Sequence, residues 1–232
     1  MLALGYNTSA MTMEFPDIIR QLVVSALPIL IAITFHEVSH GYVAYRLGDP
    51  TAKLMGRLTL NPIAHIDLIG TIILPGILLI TGAPVFGYAK PVPINPANFR
   101  DPKKDMAISA AAGPITNACL AVLSLLILKF LILPSASLLP ESMGHAVLTP
   151  LTMMFTQSII INVVLAAFNL LPIPPLDGGR VLVGLLPHRQ AVAYSRIEPY
   201  GFFIVIILLM TGIASLFVSP LINLFLTLLS LF

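Results

Sequence analysis

The sequence predicts an all-α polytopic membrane protein: a bundle of about five or six transmembrane helices, a re-entrant segment and a short Pro-rich membrane-associated loop. Three observations lead there. Of 232 residues 57% are hydrophobic and 9% charged, whereas a soluble domain carries about 25% charged residues. The apolar stretches run long without strict alternation, which favours helices over a barrel. Ionisable groups stand inside one of those stretches, where they mark function. The composition excludes a soluble globular domain and a disordered chain. With 12 Lys+Arg against 10 Asp+Glu there is no basic face to hold phosphates, so no nucleic-acid partner is expected.

The first apolar segment runs from about Ile18 to Leu47, after Pro16-Asp17 and before Gly48-Asp49-Pro50. Its roughly 30 residues, at about 1.5 Å each, exceed a ~30 Å hydrocarbon core, so the helix tilts or protrudes. The residues ahead of it lack a basic stretch and a cleavage motif, so no removable signal peptide is expected. The second run, Ile66 to Ile80, has 15 residues and is broken by Gly70, Pro75 and Gly76; a re-entrant hairpin competes there with a span. Pro84 to Lys104 holds five prolines and four basic residues. It reads as an extended loop near a membrane surface, with short strands around Val85 to Tyr88. Met106 to Leu133 is a clear span, and small residues at its start permit close helix approach. Ala146 to Leu171 is another, ending in a break rich in Pro and Gly that leads to Asp177-Gly178-Gly179-Arg180. Tyr200 to Phe232 crosses once or, divided near Gly212 to Pro220, twice. Cys119, the single cysteine, excludes an internal disulfide and a four-Cys zinc site and is expected as a packed thiol. Residues 1–232 are expected to form a single membrane-embedded domain.

His36-Glu37-Val38-Ser39-His40 is an H-E-x-x-H motif. Residues four apart share a helix face, so both imidazoles can reach one ion, and Glu37 stands close enough to contact water bound to it. Zinc suits two imidazoles with a carboxylate. Two buried histidines satisfied by interhelical hydrogen bonds would be the bland alternative, but three ionisable groups within five residues of a membrane helix disfavour it. A third ligand is required. The candidates are His65, Asp67, Asp177 and, less well placed, His145. Asp177 stands out because the Pro- and Gly-rich break can turn its side chain inward.

The pair HEVSH at 36–40 and NLLPIPPLDG at 169–178 resembles the site-2 protease family of intramembrane zinc metalloproteases (peptidase family M50). The hallmarks of that family are H-E-x-x-H and, in a later helix, N-x-x-P-x-x-x-x-D-G. Gly113-Pro114-Ile115-Thr116-Asn117 is similar to the family's G-P-x-x-N element, and the segment Asn61 to Thr71 resembles one prokaryotic subgroup. No PDZ or CBS domain is seen. The resemblance implies one Zn2+ held by His36, His40 and Asp177, Glu37 as general base and acid on the zinc-bound water, and Asn169 as a substrate contact. His65 and Asp67 are candidates for orienting a ligand or the loop. The implied partners are the lipid bilayer and membrane-protein substrates with a transmembrane helix; the oligomeric state stays unknown.

Placing His36 and Asp177 at one depth requires an odd number of crossings between their helices. Met106 to Leu133 supplies one, so Ile66 to Ile80 should re-enter. Charge agrees. On the re-entrant reading Arg46, Lys53, Arg57, Lys90, Arg100, Lys103, Lys104, Arg180, Arg189 and Arg196 share one side, against Arg20 and Lys129. A spanning second run would lower that ten-to-two ratio to eight to four. The expected location is the cell membrane, with the N-terminus outside and the site toward the cytoplasm. Two rival classes remain at this point. One is an intramembrane metal or proton transporter, which the absence of an internal repeat disfavours. The other is a non-catalytic zinc-binding scaffold.

Overall fold

The computed structural model describes residues 15–82, 87–140 and 144–231, without the side chains of residues 15–22 and of His145. Helix α1 runs Phe15–Arg46, 32 residues with Pro28 inside. It stops where Gly48 takes φ +115°, a conformation that suits glycine. The next residue, Asp49, is fully buried. Its carboxylate accepts hydrogen bonds from Thr51 N at 3.1 Å, Thr51 Oγ1 at 2.5 Å, Asn95 N at 2.7 Å and Asn98 Nδ2 at 2.7 Å. The end of α1 is thereby stapled to the Pro-rich loop.

Burial pushes the Asp49 carboxyl up, but the hydrogen bonds from Asn98, Thr51 and Asn95 outweigh it and hold the group below its ordinary value. A depressed native value means stability that is present above the unfolded pKa of about 4 and lost as pH falls through the native one. Asp49→Ala is therefore expected to lower the melting temperature in detergent at pH 7, by on the order of 3 kcal/mol of stability. The gap to wild type should close below about pH 4. A gap independent of pH would show that packing, not charge, is what the mutation removes.

Helix α2, Leu68–Thr81, opens as a π-helix over Leu68–Ile73 and continues as an α-helix over Leu74–Thr81. Asp67 caps it, its carboxylate accepting from Ile69 N at 3.0 Å and Gly70 N at 2.7 Å. At roughly 21 Å it is too short for a ~30 Å core. The chain that follows returns to where the helix began. Tyr88 N donates to Gly70 O at 3.0 Å, Thr71 Oγ1 to Tyr88 O at 2.9 Å, and Lys90 N to His65 O at 2.9 Å. A segment that leaves and comes back at one end is the expected hairpin. Gly87 and Tyr88 carry no strand hydrogen-bond ladder, because prolines at 91 and 93 and the helical partner interrupt pairing, while Val85 and Phe86 lie outside the described residues.

Helix α3, Pro102–Ile127, continues through a π-turn to Ser135. It starts at a capping box in which Asp101 accepts from Lys104 N and Asp105 accepts from Asp101 N. Helix α4 is Thr149–Asn169, followed by α5 Asp177–Leu185, α6 His188–Ser195, α7 Glu198–Met210 and α8 Ile213–Leu229. Helices α1, α3 and α4 pack mutually, α5 lies on α3, and α8 on α4. The seam is lined by Ala32, Ser109, Ala110, Gly113, Ala121, Ala166 and Ala167, all buried. Small residues win there because lipid gives no hydrophobic drive between helices, so close van der Waals approach must supply it. Large apolar side chains face outward instead, such as Val23, Phe130 and Leu216. Cys119 also faces outward on α3 rather than packing, since the buried stripe of that helix runs through Gly113, Asn117 and Ala121.

Among the described residues, three helices are long and apolar enough to cross a membrane: Val23–Arg46, Pro102–Ser135 and Ala146–Asn169. Counting the pair α6 and α7, bent by 65°, as one broken span makes four. The expected five or six is reached only by adding the shorter apolar helices Leu68–Thr81 and Ile213–Leu229.

Candidate metal centre

Helix periodicity puts His36 and His40 on the buried face of α1, one turn apart. Asp177 comes from elsewhere. The break after α4 makes a tight loop with a cis Pro174–Pro175 bond, and Asp177 opens the next helix as its first residue instead of standing in irregular backbone. Gly178 and Gly179 permit that turn: a Cβ on Gly178 would lie 2.5 Å from Leu171 O, and one on Gly179 2.6 Å from the Ile173 carbonyl carbon. Gly201 of α7 is likewise backed against Pro174.

The result is a compact trio. His36 Nε2 and His40 Nε2 lie 3.0 Å apart, and Asp177 Oδ2 lies 3.1 Å from the first and 3.2 Å from the second. A tetrahedral ion with ligands at 2.0–2.1 Å holds them about 3.3 Å apart, close to these edges. The hydrogen-bond pattern fits the same group. His36 Nδ1 meets Asn117 Oδ1 at 2.5 Å and His40 Nδ1 meets Ser109 O at 2.8 Å. Both partners only accept, so each imidazole carries its proton on Nδ1 and turns an Nε2 lone pair inward. Asp177 Oδ2 is buried and receives no hydrogen bond. Three lone pairs converging in a buried site repel one another unless a cation stands between them. Gly113 completes the cradle: an added Cβ would lie 2.6 Å from His36 Cε1 and closer still to His40 Nε2. Among the described residues this is the single group of three or more His, Cys, Asp or Glu arranged to hold a metal.

Asn117, the last residue of the G-P-x-x-N element, gains a role that the sequence does not assign it: it starts a polar chain behind His36. Asn117 Nδ2 donates to Ala32 O at 3.3 Å and to Asn162 Oδ1 at 2.8 Å, and Asn162 Nδ2 donates to Ser158 O at 2.8 Å. Ser158 and Ser124 share a further bond at 2.8 Å. Asn117 and Asn162 are fully buried. The available signal was an Asn in the middle of each of two apolar spans, which lipid tolerates only when it is partnered. Asn117→Ala should loosen the His36 ring and weaken zinc about 10- to 100-fold, as loss of a partner behind a metal ligand does. Competition with a chromogenic chelator reads this directly, and an unchanged affinity would make the Asn chain a packing feature only.

The other sequence candidates fall outside the trio. Glu37 is half-buried, one residue beyond His36, and its Oε2 accepts from Val92 N at 2.8 Å. Asn169 ends α4 and donates to Leu165 O at 3.0 Å. His65 is buried, its Nε2 donating to Thr59 O at 2.8 Å with Nδ1 unpartnered, and its backbone carbonyl holds Lys90. Asp67 caps α2. Neither His65 nor Asp67 hydrogen-bonds to His36, His40 or Asp177. They contact the hairpin and its return instead, because the α2 segment folds back on itself rather than over the trio. The side chain of His145 lies outside the described residues.

The sequence profile of "Peptidase family M50" matches residues 24–212. The chain is 38% identical over 197 residues to "Putative zinc metalloprotease YwhC" of Bacillus subtilis, covering 85% of this chain and 84% of that one. It is 28% identical over 186 residues to "Putative zinc metalloprotease Rip2" of Mycolicibacterium smegmatis, covering 78% of this chain and 64% of the relative. Against Rip2 of Mycobacterium tuberculosis H37Rv the identity is 27% over 194 residues, covering 84% and 66% respectively. No solved structure matches.

Proposed function

The chain belongs to peptidase family M50 and is a zinc metallopeptidase carried on membrane-type helices, and from this premise we propose that it is an intramembrane protease. It hydrolyses peptide bonds within or beside transmembrane segments of membrane-protein substrates. The observation that carries the proposal is the convergence of His36 Nε2, His40 Nε2 and Asp177 Oδ2 on one buried point of an apolar bundle, beside Glu37. Residues 1–232 act as one membrane-embedded unit.

His36, His40 and Asp177 hold the ion. Zinc there supplies a Lewis acid and a water of lowered pKa. Glu37 is the general base and then the general acid: its carboxylate takes the proton of the attacking water and delivers it to the amine nitrogen that leaves. Asn117 and the Ser109 carbonyl keep the two imidazoles in the tautomer that presents Nε2. Asn169 contacts the substrate backbone; its amide, now on Leu165 O, is a donor for which a substrate carbonyl competes. His65 and Asp67 act through the hairpin that they brace. The substrate helix must unwind to expose a carbonyl, and the extended Pro-rich loop offers it an edge.

The end of α1, the Pro-rich loop, the start of α3 and the end of α5 sit together, tied by Asn95 on Asp49 and by Lys103 on the Leu186 carbonyl. With the basic residues clustered there, this end faces the cytoplasm of the cell membrane and the N-terminus lies outside. The test is zinc-loaded protein in proteoliposomes with a panel of single-span peptides, the products read by mass spectrometry. New termini within or next to the apolar segment are expected. Zinc flux without cleavage would replace this reading with a transporter.

A further inference from the structure

Residues 87–95 form an extended strap across α1, and its groups are committed in alternation. Tyr88 uses its N–H on Gly70 and its carbonyl on Thr71, and Lys90 uses its N–H on His65 and its carbonyl on Arg57. Val92 uses its N–H on Glu37 Oε2 at 2.8 Å. Alternation follows from extended backbone, in which every second residue turns its N–H and C=O to the same side. Pro91 and Pro93 flank Val92 and have no N–H, so Val92 carries the one amide proton of that tripeptide. The prolines also fix φ and stiffen the strap there.

The Val92 side chain is buried and lies over Gly41, where an added Cβ would stand 2.6 Å from Val92 Cγ1. Gly41 is four residues beyond Glu37, on the same face of α1, so the absent side chain at 41 is what lets the strap come close enough to reach the carboxylate. The strap is pinned on both sides of that contact, by Arg57 on the carbonyls of Lys90 and Pro91 and by Asp49 on Asn95 N. A single stiffened donor between two anchors is a positioning device, not an incidental loop contact.

Resting on the protease reading above, we propose that the Val92 backbone N–H is the positioning donor of Glu37. It holds Oε2 and fixes the rotamer, leaving Oε1 as the oxygen that carries the proton. Val92 acts through Glu37 and touches neither substrate nor metal. Because the same strap offers its outer edge to the substrate in that reading, a substrate that draws on the strap would also set the aim of the carboxylate.

The test removes the donor alone. Incorporating the α-hydroxy acid analogue of valine at 92 replaces the amide N–H by an ester oxygen and keeps the side chain; the same exchange at Leu60, an exposed residue outside the strap whose amide makes no hydrogen bond in the described structure, is the control. Expected at 92 are wild-type zinc content, KM within about twofold and kcat at least tenfold lower, with the Leu60 ester unchanged. Wild-type kcat in the Val92 ester, or a loss confined to KM or shared by the Leu60 ester, overturns the proposal. A readout independent of activity is amide exchange at Val92. It should be at least tenfold faster in Glu37→Ala than in wild type, and equal rates overturn the contact itself. If wild type cleaves no peptide of the panel, the protease reading fails and the catalytic part of the proposal with it, while the exchange rates still show separately whether the strap holds Glu37.

Discussion

Glu37→Gln is expected to bind zinc at wild-type stoichiometry and to lose roughly 10³-fold in kcat, within the range that a general acid–base group supplies. The substitution is close to isosteric. Gln keeps an oxygen that can accept from Val92 N–H, so the strap contact survives, and His36 and His40 keep their partners Asn117 and Ser109. What disappears is the ability to take up and return a proton. The measurement pairs zinc content by mass spectrometry of the purified protein with turnover of a single-span peptide in proteoliposomes. In cells, new protein termini in the membrane fraction should be present with wild type and missing with Glu37→Gln. An active Glu37→Gln protein would sink the mechanism, because the proton transfer rests on the Glu37 carboxylate.

Asp177→Ala is expected to abolish tight zinc binding, lowering affinity by more than the roughly 100-fold assigned to a partner behind a ligand. Two imidazoles remain, on one helix, and the third corner of the triangle is gone. Removing the carboxylate also removes its convergence with the two Nε2 atoms, so the zinc-free variant should fold and its loss should read as a binding defect. Equilibrium dialysis against a chelator, with the helical signal followed in parallel, separates the two. Zinc also stabilises whichever state binds it, so added zinc should raise the melting temperature of wild type and leave Asp177→Ala unmoved. Zinc retained at wild-type affinity in Asp177→Ala would place the third ligand elsewhere. His65 and Asp67 are poor substitutes in this fold, one hydrogen-bonded to Thr59 and the other capping α2.

Much of the site was legible along the chain, because its decisive spacings are local. His36, Glu37 and His40 lie within five residues of one helix, and a 3.6-residue period alone puts both imidazoles on one face. The short second run announced itself by length and by Gly70, Pro75 and Gly76, and its return to Gly70 and His65 follows from a segment too short to cross. Asp177 needed two clues together, a Pro- and Gly-rich break and a family resemblance.

Other features lay beyond local reading. That Asp177 begins a helix depends on glycines pressed against the backbone of residues 170–174, a contact no spacing encodes. The outward turn of Cys119 is hidden from local reading for a related reason: an apolar span is apolar all round, so its buried face shows only where small residues meet a partner helix.

By itself, the sequence determined the solvent this protein lives in and the chemistry it can hold, since composition sets where a chain partitions and helical period sets which ligands share a face. Tertiary structure alone decided how that chemistry is aimed. Asn117 meets His36 across 81 residues of chain, Val92 meets Glu37 across 55, and Asn95 meets Asp49 across 46. Hydrogen bonds of a few ångströms between positions so far apart exist only after the helices have packed, and packing is settled by the sum of many weak contacts along the whole seam.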